Sequence, residues 1–169
     1  MRARTVAIVG FFAAAGLLGV SYVRAQGPLA LVPAIDARHP GVPWASTAQL
    51  ARWLREDVEV VLLDAREADE FATSHLAGAR RVDPGATTFS FLSPSDRDAR
   101  IVVYCSVGYR SAAVAERLRA AGFRRVFNLA GGLFQWANEG RPLADGRRRV
   151  HPYDADWGAL LDPVRRAEL

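Results

Sequence analysis

The sequence contains no lysine; all 22 basic residues are arginine. That removes a lysine Schiff base and a Walker-type phosphate loop, both of which need the amine. Cysteine is nearly missing too. With Cys105 as the only thiol, an internal disulfide and a multi-cysteine zinc site are excluded. His39, His75 and His151 lie far apart with no ligand spacing between them, so no metal and no cofactor is expected. A strong excess of one charge is also absent from the body of the chain. Arg2, Arg4 and Arg24 belong to the N-terminal segment, and the rest carries 19 arginines against 18 acids. A domain so nearly balanced has no electrostatic footprint for nucleic acid.

What is present suits one domain with appendages: 169 residues, half of them apolar. Residues 1–25 read as a targeting segment. Arg2 and Arg4 precede an uncharged apolar run from Val6 to Val23, and Val23-Arg24-Ala25 places small residues where signal peptidase reads them. The run is long for a signal peptide and just long enough to span a bilayer. It is therefore a cleaved signal, with cleavage after Ala25 favoured, or an uncleaved membrane anchor through residues 6–23. Both readings place the domain outside the cytoplasm, in the periplasm or beyond. Residues 26–45, with Pro28, Pro33, Pro40 and Pro43, read as a Pro-rich linker.

The domain is expected over residues 46–145. Ser46 with Gln49 makes a capping-box pattern ahead of a helix to Arg55. Val58 to Leu63 reads as a strand covered on both faces, followed by a short helix from Glu67 to Thr73. His75 is expected to be structural, Asp64 and Arg66 to form a structural ion pair first, and Arg80 and Arg81 to be a solvated face. Further on, a strand over 101–104, a helix to Ala121, a strand over 126–129 and a short helix through Trp136 alternate as parallel βα units do. The tail, 146–169, carries Trp157, Leu160 and Leu161 at helical spacing, which predicts a short amphipathic helix packed back on the domain.

The chemistry concentrates in Ile101 to Val114. Strand-forming residues lead to Cys105, then Ser106-Val107-Gly108-Tyr109-Arg110-Ser111 runs into an alanine-rich helix. Amides at a helix start are unpaired and carry partial positive charge, so a loop converging there can hold an anion. A thiolate beside it gains that field, whereas the thiol does not. Gly108 lets the loop turn, and Arg110 adds a permanent charge with a planar donor fork. The stretch reads as an anion cradle with a nucleophile at its floor: Cys105 catalytic, and residues 106–111 around the substrate.

From Ser46 to Leu143 the chain resembles a single rhodanese-like sulfurtransferase domain. The matches fall in family order: Leu63-Asp64-Ala65-Arg66-Glu67 with Glu70-Phe71, His75 with Gly78-Ala79, Cys105 with Gly108, Arg110 and Ser111, Gly122-Phe123, and Gly131-Gly132 with Trp136. The resemblance implies an α/β fold whose five-stranded, mainly parallel sheet is flanked by helices. It also implies that Cys105 takes a sulfane sulfur from a small donor, such as thiosulfate or a persulfide. The sulfur would be held as a cysteine persulfide and handed to a thiol or other thiophilic acceptor. Arg110 carries over as the donor's charge partner, and Arg66 as a second substrate contact. Ala77 stands where the family usually has proline. Ser106 and Val107 stand where many members have a basic or hydroxyl residue, which leaves fewer charges to hold a dianion.

Two other classes compete. Cysteine phosphatases and arsenate reductases share the fold type, but their loops have one residue more than the four between Cys105 and Arg110 here. The smaller loop suits a sulfur atom better than a tetrahedral oxyanion. A non-catalytic rhodanese-like binding module is common where the cysteine is lost, and here both Cys105 and Arg110 are present.

Overall fold

Two largely apolar strands, Val60–Asp64 (β2) and Arg100–Tyr104 (β4), pair in parallel along their full length, with Leu63 opposite Val103. The computed structural model describes residues 25–56 and 59–168. Around this central pair the sheet is completed by Trp44–Ala45 (β1), Arg80–Arg81 (β3) and Arg125–Leu129 (β5). Every pairing is parallel, and the five strands lie in the order β1-β5-β4-β2-β3.

Alternation along the strands divides the core in two. Leu62, Val102 and Tyr104 face one side, where they join Leu50 and Trp53 of the helix Thr47–Arg55 (α2) and Leu133 and Trp136 of Gly132–Asn138 (α5). Val61, Leu63, Ile101 and Val103 face the other, against Val114 and Leu118 of Tyr109–Ala120 (α4). Both faces of β2 and β4 are thus buried, as their unbroken apolar runs require. Helix α2 starts where its cap predicts: the Ser46 side chain accepts the Gln49 N–H at 3.0 Å.

Three stretches differ from their sequence reading. The supposed linker, residues 26–45, is packed structure. A 3₁₀ turn at Pro28–Leu31 runs into the helix Val32–Asp36 (α1), and Leu31, Ile35 and Val42 are buried. Its end becomes β1, with Trp44 opposite Asn128. Pro28 and Pro33 are tolerated there because they stand at helix starts, where an N–H has no intrahelical partner anyway. Arg80 and Arg81 are exposed but form an edge strand, β3, beside Leu63 and Asp64. Exposed charges on an edge discourage further pairing. The strand expected over Val58 to Leu63 is found at Val60–Asp64, and Val58 lies outside the described residues.

The tail lies against the domain. Trp157, Leu160 and Leu161 are buried, the helix there is only Ala155–Gly158 (α6), and the segment is tied down by the Asn138 amide donating to Leu160 O at 2.8 Å. Val150 exchanges backbone hydrogen bonds with the chain end, through Arg165 O and the Ala167 N–H. Of residues 1–25, the stretch read as a targeting segment, residues 1–24 fall outside the described residues. No helix among the described residues is long and apolar enough to cross a membrane.

Candidate active site

Strand β4 ends at Tyr104 and α4 begins at Tyr109, so Cys105 to Gly108 form the connection at the carboxyl edge of the sheet. In open parallel sheets, ligands bind at that edge. Gly108 is the N-cap of α4 with φ of 105°, a left-handed value that side chains other than glycine resist. The loop's carbonyls are held from behind. Cys105 O accepts the Leu133 N–H at 2.8 Å, Ser106 O accepts the Phe134 N–H at 3.0 Å, and Gly108 O accepts from the Asn128 amide at 2.8 Å. In a trans peptide the N–H points opposite to the C=O. Fixing the carbonyls of Cys105 and Ser106 onto the start of α5 therefore turns the next two amides away from it. The close fit explains Gly132: a Cβ there would stand 2.4 Å from Cys105 O.

The thiol sits at the floor of this loop. Cys105 is 1% exposed, and its Sγ accepts the Gly108 N–H at 3.2 Å. Behind that amide stands a 12-residue helix whose N-terminal dipole favours negative charge. Above it opens a cavity of about 60 Å³ bounded by Cys105, Ser106, Val107, Tyr109, Arg110 and, from the tail, Tyr153 and Trp157. A cavity so small admits the end of a small molecule only.

Arg110 reaches this cavity but arrives with a partner. Its Nη1 and Nη2 donate to the two carboxylate oxygens of Glu70, at 2.6 and 2.8 Å. Nη2 also donates to the Ser106 hydroxyl, which in turn donates to Glu70 at 2.8 Å. Burial works against the Arg110 charge, but the hydrogen bond to Glu70 and the negative fields of Cys105 and Glu70 prevail and raise its pKa further. Burial likewise opposes ionisation of Glu70, and Arg110 outweighs it, holding the carboxylate below its usual range. The Arg110 guanidinium carbon lies 4.9 Å from the centre of the Tyr153 ring, within cation–π range.

The expected site residues thus separate. Cys105, Ser106, Val107, Gly108, Tyr109 and Arg110 are brought together at the loop. The Ser111 side chain is not part of the cavity wall: it is fully buried and its hydroxyl donates to Asn128 at 2.7 Å, bracing the loop from below. Arg66 is likewise corrected as a substrate contact. Its side chain is 0% exposed and is spent on Asp64, with Nε donating at 2.9 Å and Nη2 at 2.7 Å, and on the carbonyl of Ser74. It knits the end of β2 to the chain after the helix Ala68–Thr73 (α3). His75 stacks on Phe71 with ring centres 4.0 Å apart, and its Nδ1 donates to Phe71 O.

Four residues of the site escaped the sequence reading as such. Glu70 is in α3, 40 positions from Arg110 in the chain. The signal for it was its place three residues after Glu67, whose N–H it accepts at 3.1 Å, a box pattern at a helix start. Asn128 is a polar residue in an apolar strand, fully buried, and such a residue needs partners. Tyr153 and Trp157 had no signal pointing to the cavity, since only the tertiary fold returns the tail there.

A model of the rhodanese-like domain matches residues 46–139. The chain is 33% identical over 108 residues to the thiosulfate sulfurtransferase GlpE of Pseudomonas aeruginosa strain LESB58, covering 64% of this chain and 86% of that protein. Among solved structures, a rhodanese-related protein from Thermoplasma volcanium superposes with a TM-score of 0.53 at 26% identity, covering 60% of this chain and 97% of the other. A thiosulfate sulfurtransferase from Pseudomonas aeruginosa gives a TM-score of 0.55 at 26% identity over 81% of this chain and 26% of its own. Tyr153 and Trp157 lie beyond the end of the matched domain.

Proposed function

We propose, from the premise that this chain belongs to the rhodanese-like family and is a sulfurtransferase, that it moves a sulfane sulfur through a persulfide on Cys105, and that it works outside the cytoplasm. The observation that carries the chemistry is the Gly108 N–H donating to the Cys105 Sγ at the floor of the cavity, in front of the α4 N-terminus. The thiolate attacks the outer sulfur of the donor. A bond forms between Sγ and that sulfur, and the bond to the donor's remaining group breaks, its electron pair departing with that group. The new terminal sulfur bears the negative charge, which the amides of the loop and the helix start stabilise. Attack by a thiol or other thiophilic acceptor on the terminal sulfur restores the Cys105 thiolate.

The phosphatase-like alternative fits less well. A tetrahedral dianion would have to share the Arg110 guanidinium, whose Nη1 and Nη2 already donate to Glu70, in a loop with only four residues between Cys105 and Arg110. Aryl phosphates should therefore not be hydrolysed to a meaningful extent, while Cys105→Ser should remove sulfur transfer from sulfane donors altogether. Turnover surviving in a folded Cys105→Ser protein would refute the mechanism.

The place of action rests on Arg2, Arg4 and the apolar run Val6 to Val23. A fusion of residues 1–25 to a reporter active only outside the cytoplasm should score positive. N-terminal sequencing then separates the two fates, Gln26 first for cleavage and Met1 for an anchor. A reporter that stays inactive would contradict export.

A further inference from the structure

We infer that the tail segment His151–Trp157 is a specificity element of the sulfur site. Through Tyr153 and Trp157 it selects small donors with an apolar group and no more than one negative charge, in preference to dianions. The inference rests on the sulfurtransferase reading and names the donor class for it.

Three observations converge. First, the charge inside the cavity is already balanced. Arg110 is the only cationic side chain among the described residues of its wall, and both oxygens of Glu70 are bound to it. A donor carrying two charges would have to leave water for a site with no uncompensated cation, and desolvation of charge is the largest penalty such a site imposes. Second, the tail supplies apolar surface: Tyr153 and Trp157 line the cavity together with Val107 and Tyr109, and the Tyr153 ring lies over the Arg110 guanidinium, replacing water on that side.

Third, the backbone of the tail is committed to presenting Tyr153. Tyr153 is one of only two non-glycine residues with positive φ among the described residues, at 69°. For a bulky residue that conformation is an outlier, tolerated where surrounding structure over-determines it. Here its N–H donates to His151 Nδ1 at 3.0 Å, and the next residue, Asp154, caps α6 by accepting the Trp157 N–H at 2.9 Å. A glycine would fit this turn with less strain. The aromatic side chain is present where the backbone favours its absence, and the cavity is what that side chain touches.

The test compares two donors with the same outer sulfur. Methanethiosulfonate differs from thiosulfate by a methyl group in place of one charged oxygen. With it, Cys105 Sγ bonds to the outer sulfur, the bond between the two donor sulfurs breaks, and methanesulfinate leaves with the electron pair. Rates of persulfide formation on the full-length protein would be measured by mass spectrometry at fixed ionic strength, each divided by the rate with glutathione so that intrinsic reactivity cancels. The native protein should favour methanethiosulfonate by about tenfold, the order set by a single charge-assisted hydrogen bond. Tyr153→Gly should reduce that preference several-fold in a protein that still folds, relief of the backbone strain offsetting part of the packing lost with the ring. Tyr153→Asn, which also accepts left-handed backbone, repeats the test without glycine's added freedom. Loading from both donors without preference, or with a preference that neither variant changes, would overturn the inference and leave the sulfurtransferase reading standing. Loading from neither of these donors while a persulfide donor still loads Cys105 would overturn the inference alone, and loading from no sulfane donor at all would overturn the persulfide reading with it.

Discussion

Two arginine–carboxylate pairs flank the sheet's carboxyl edge, and they are chemically alike. In Asp64–Arg66 both side chains are 0% exposed; in Glu70–Arg110 the glutamate is 1% exposed and the arginine 21%. The first pair joins residues two apart and ties the end of β2 to Ser74. The second joins α3 to the start of α4, and its arginine stands on the cavity wall beside Cys105. The difference shows that an arginine's place relative to water, and not its charge, decides whether it holds the fold or shapes the site. It also shows that an arginine beside a reactive loop need not be available to an anion.

Cutting the deeper pair should have the largest effect. Arg66→Met leaves Asp64 buried without its partner, and breaking such a pair costs roughly 3–5 kcal/mol. Thermal or denaturant unfolding should register that loss, while the fraction that remains folded should still load sulfur. A full-stability Arg66→Met protein would erase the contrast.

Glu70→Gln is the matching cut at the site. It keeps the shape but removes the negative charge, with an expected loss of about 1–3 kcal/mol for the weakened buried network. Its signature should be functional: thiosulfate loading should rise relative to methanethiosulfonate, because Arg110 regains an uncompensated charge. Unchanged relative rates would mean that Glu70 does not set the charge of the cavity.

Acid should reveal the same pair more gently. Glu70 titrates below its ordinary range in the folded protein, with burial opposed and outweighed by Arg110. The stabilisation is therefore fully present above the unfolded glutamate value of about 4.3 and is lost as pH falls through the lower folded value. Stability measured from neutral pH downward should fall in that window, and the Glu70→Gln protein should show a shallower fall. Identical acid limbs in the two proteins would contradict this.

Ser46→Ala lies outside both pairs and sets the smallest expected change. Losing the cap on the Gln49 N–H should cost about 1 kcal/mol, read by denaturant unfolding, with donor preference untouched. A shift in donor preference here would show that stability alone moves the functional readout.

What could be read from the sequence follows the same division between near and far. Cys105, Gly108 and Arg110 were legible because strand, loop and helix start are contiguous, and local chemistry determines their geometry. The parallel α/β fold was legible from apolar runs alternating with helical stretches. Glu70 was visible only as part of a motif, because its pairing depends on α3 folding over the loop. The packed arm at residues 26–45 was hidden by its prolines and by a strand of only two residues, too short to show alternation. β3 was hidden because both its residues are exposed arginines. The role of the tail was beyond reach, since its buried Trp157 shows a helix face but not what the helix covers.

Everything proposed for the site depends on Cys105 carrying the sulfur. Full-length protein treated with methanethiosulfonate, then freed of excess donor, should gain the mass of one sulfur atom. Peptide mapping should place it on Cys105, exposure to a thiol should remove it, and Cys105→Ser protein should gain nothing. A native protein that no sulfane donor modifies, or a Cys105→Ser protein that acquires the same sulfur, would contradict the persulfide mechanism.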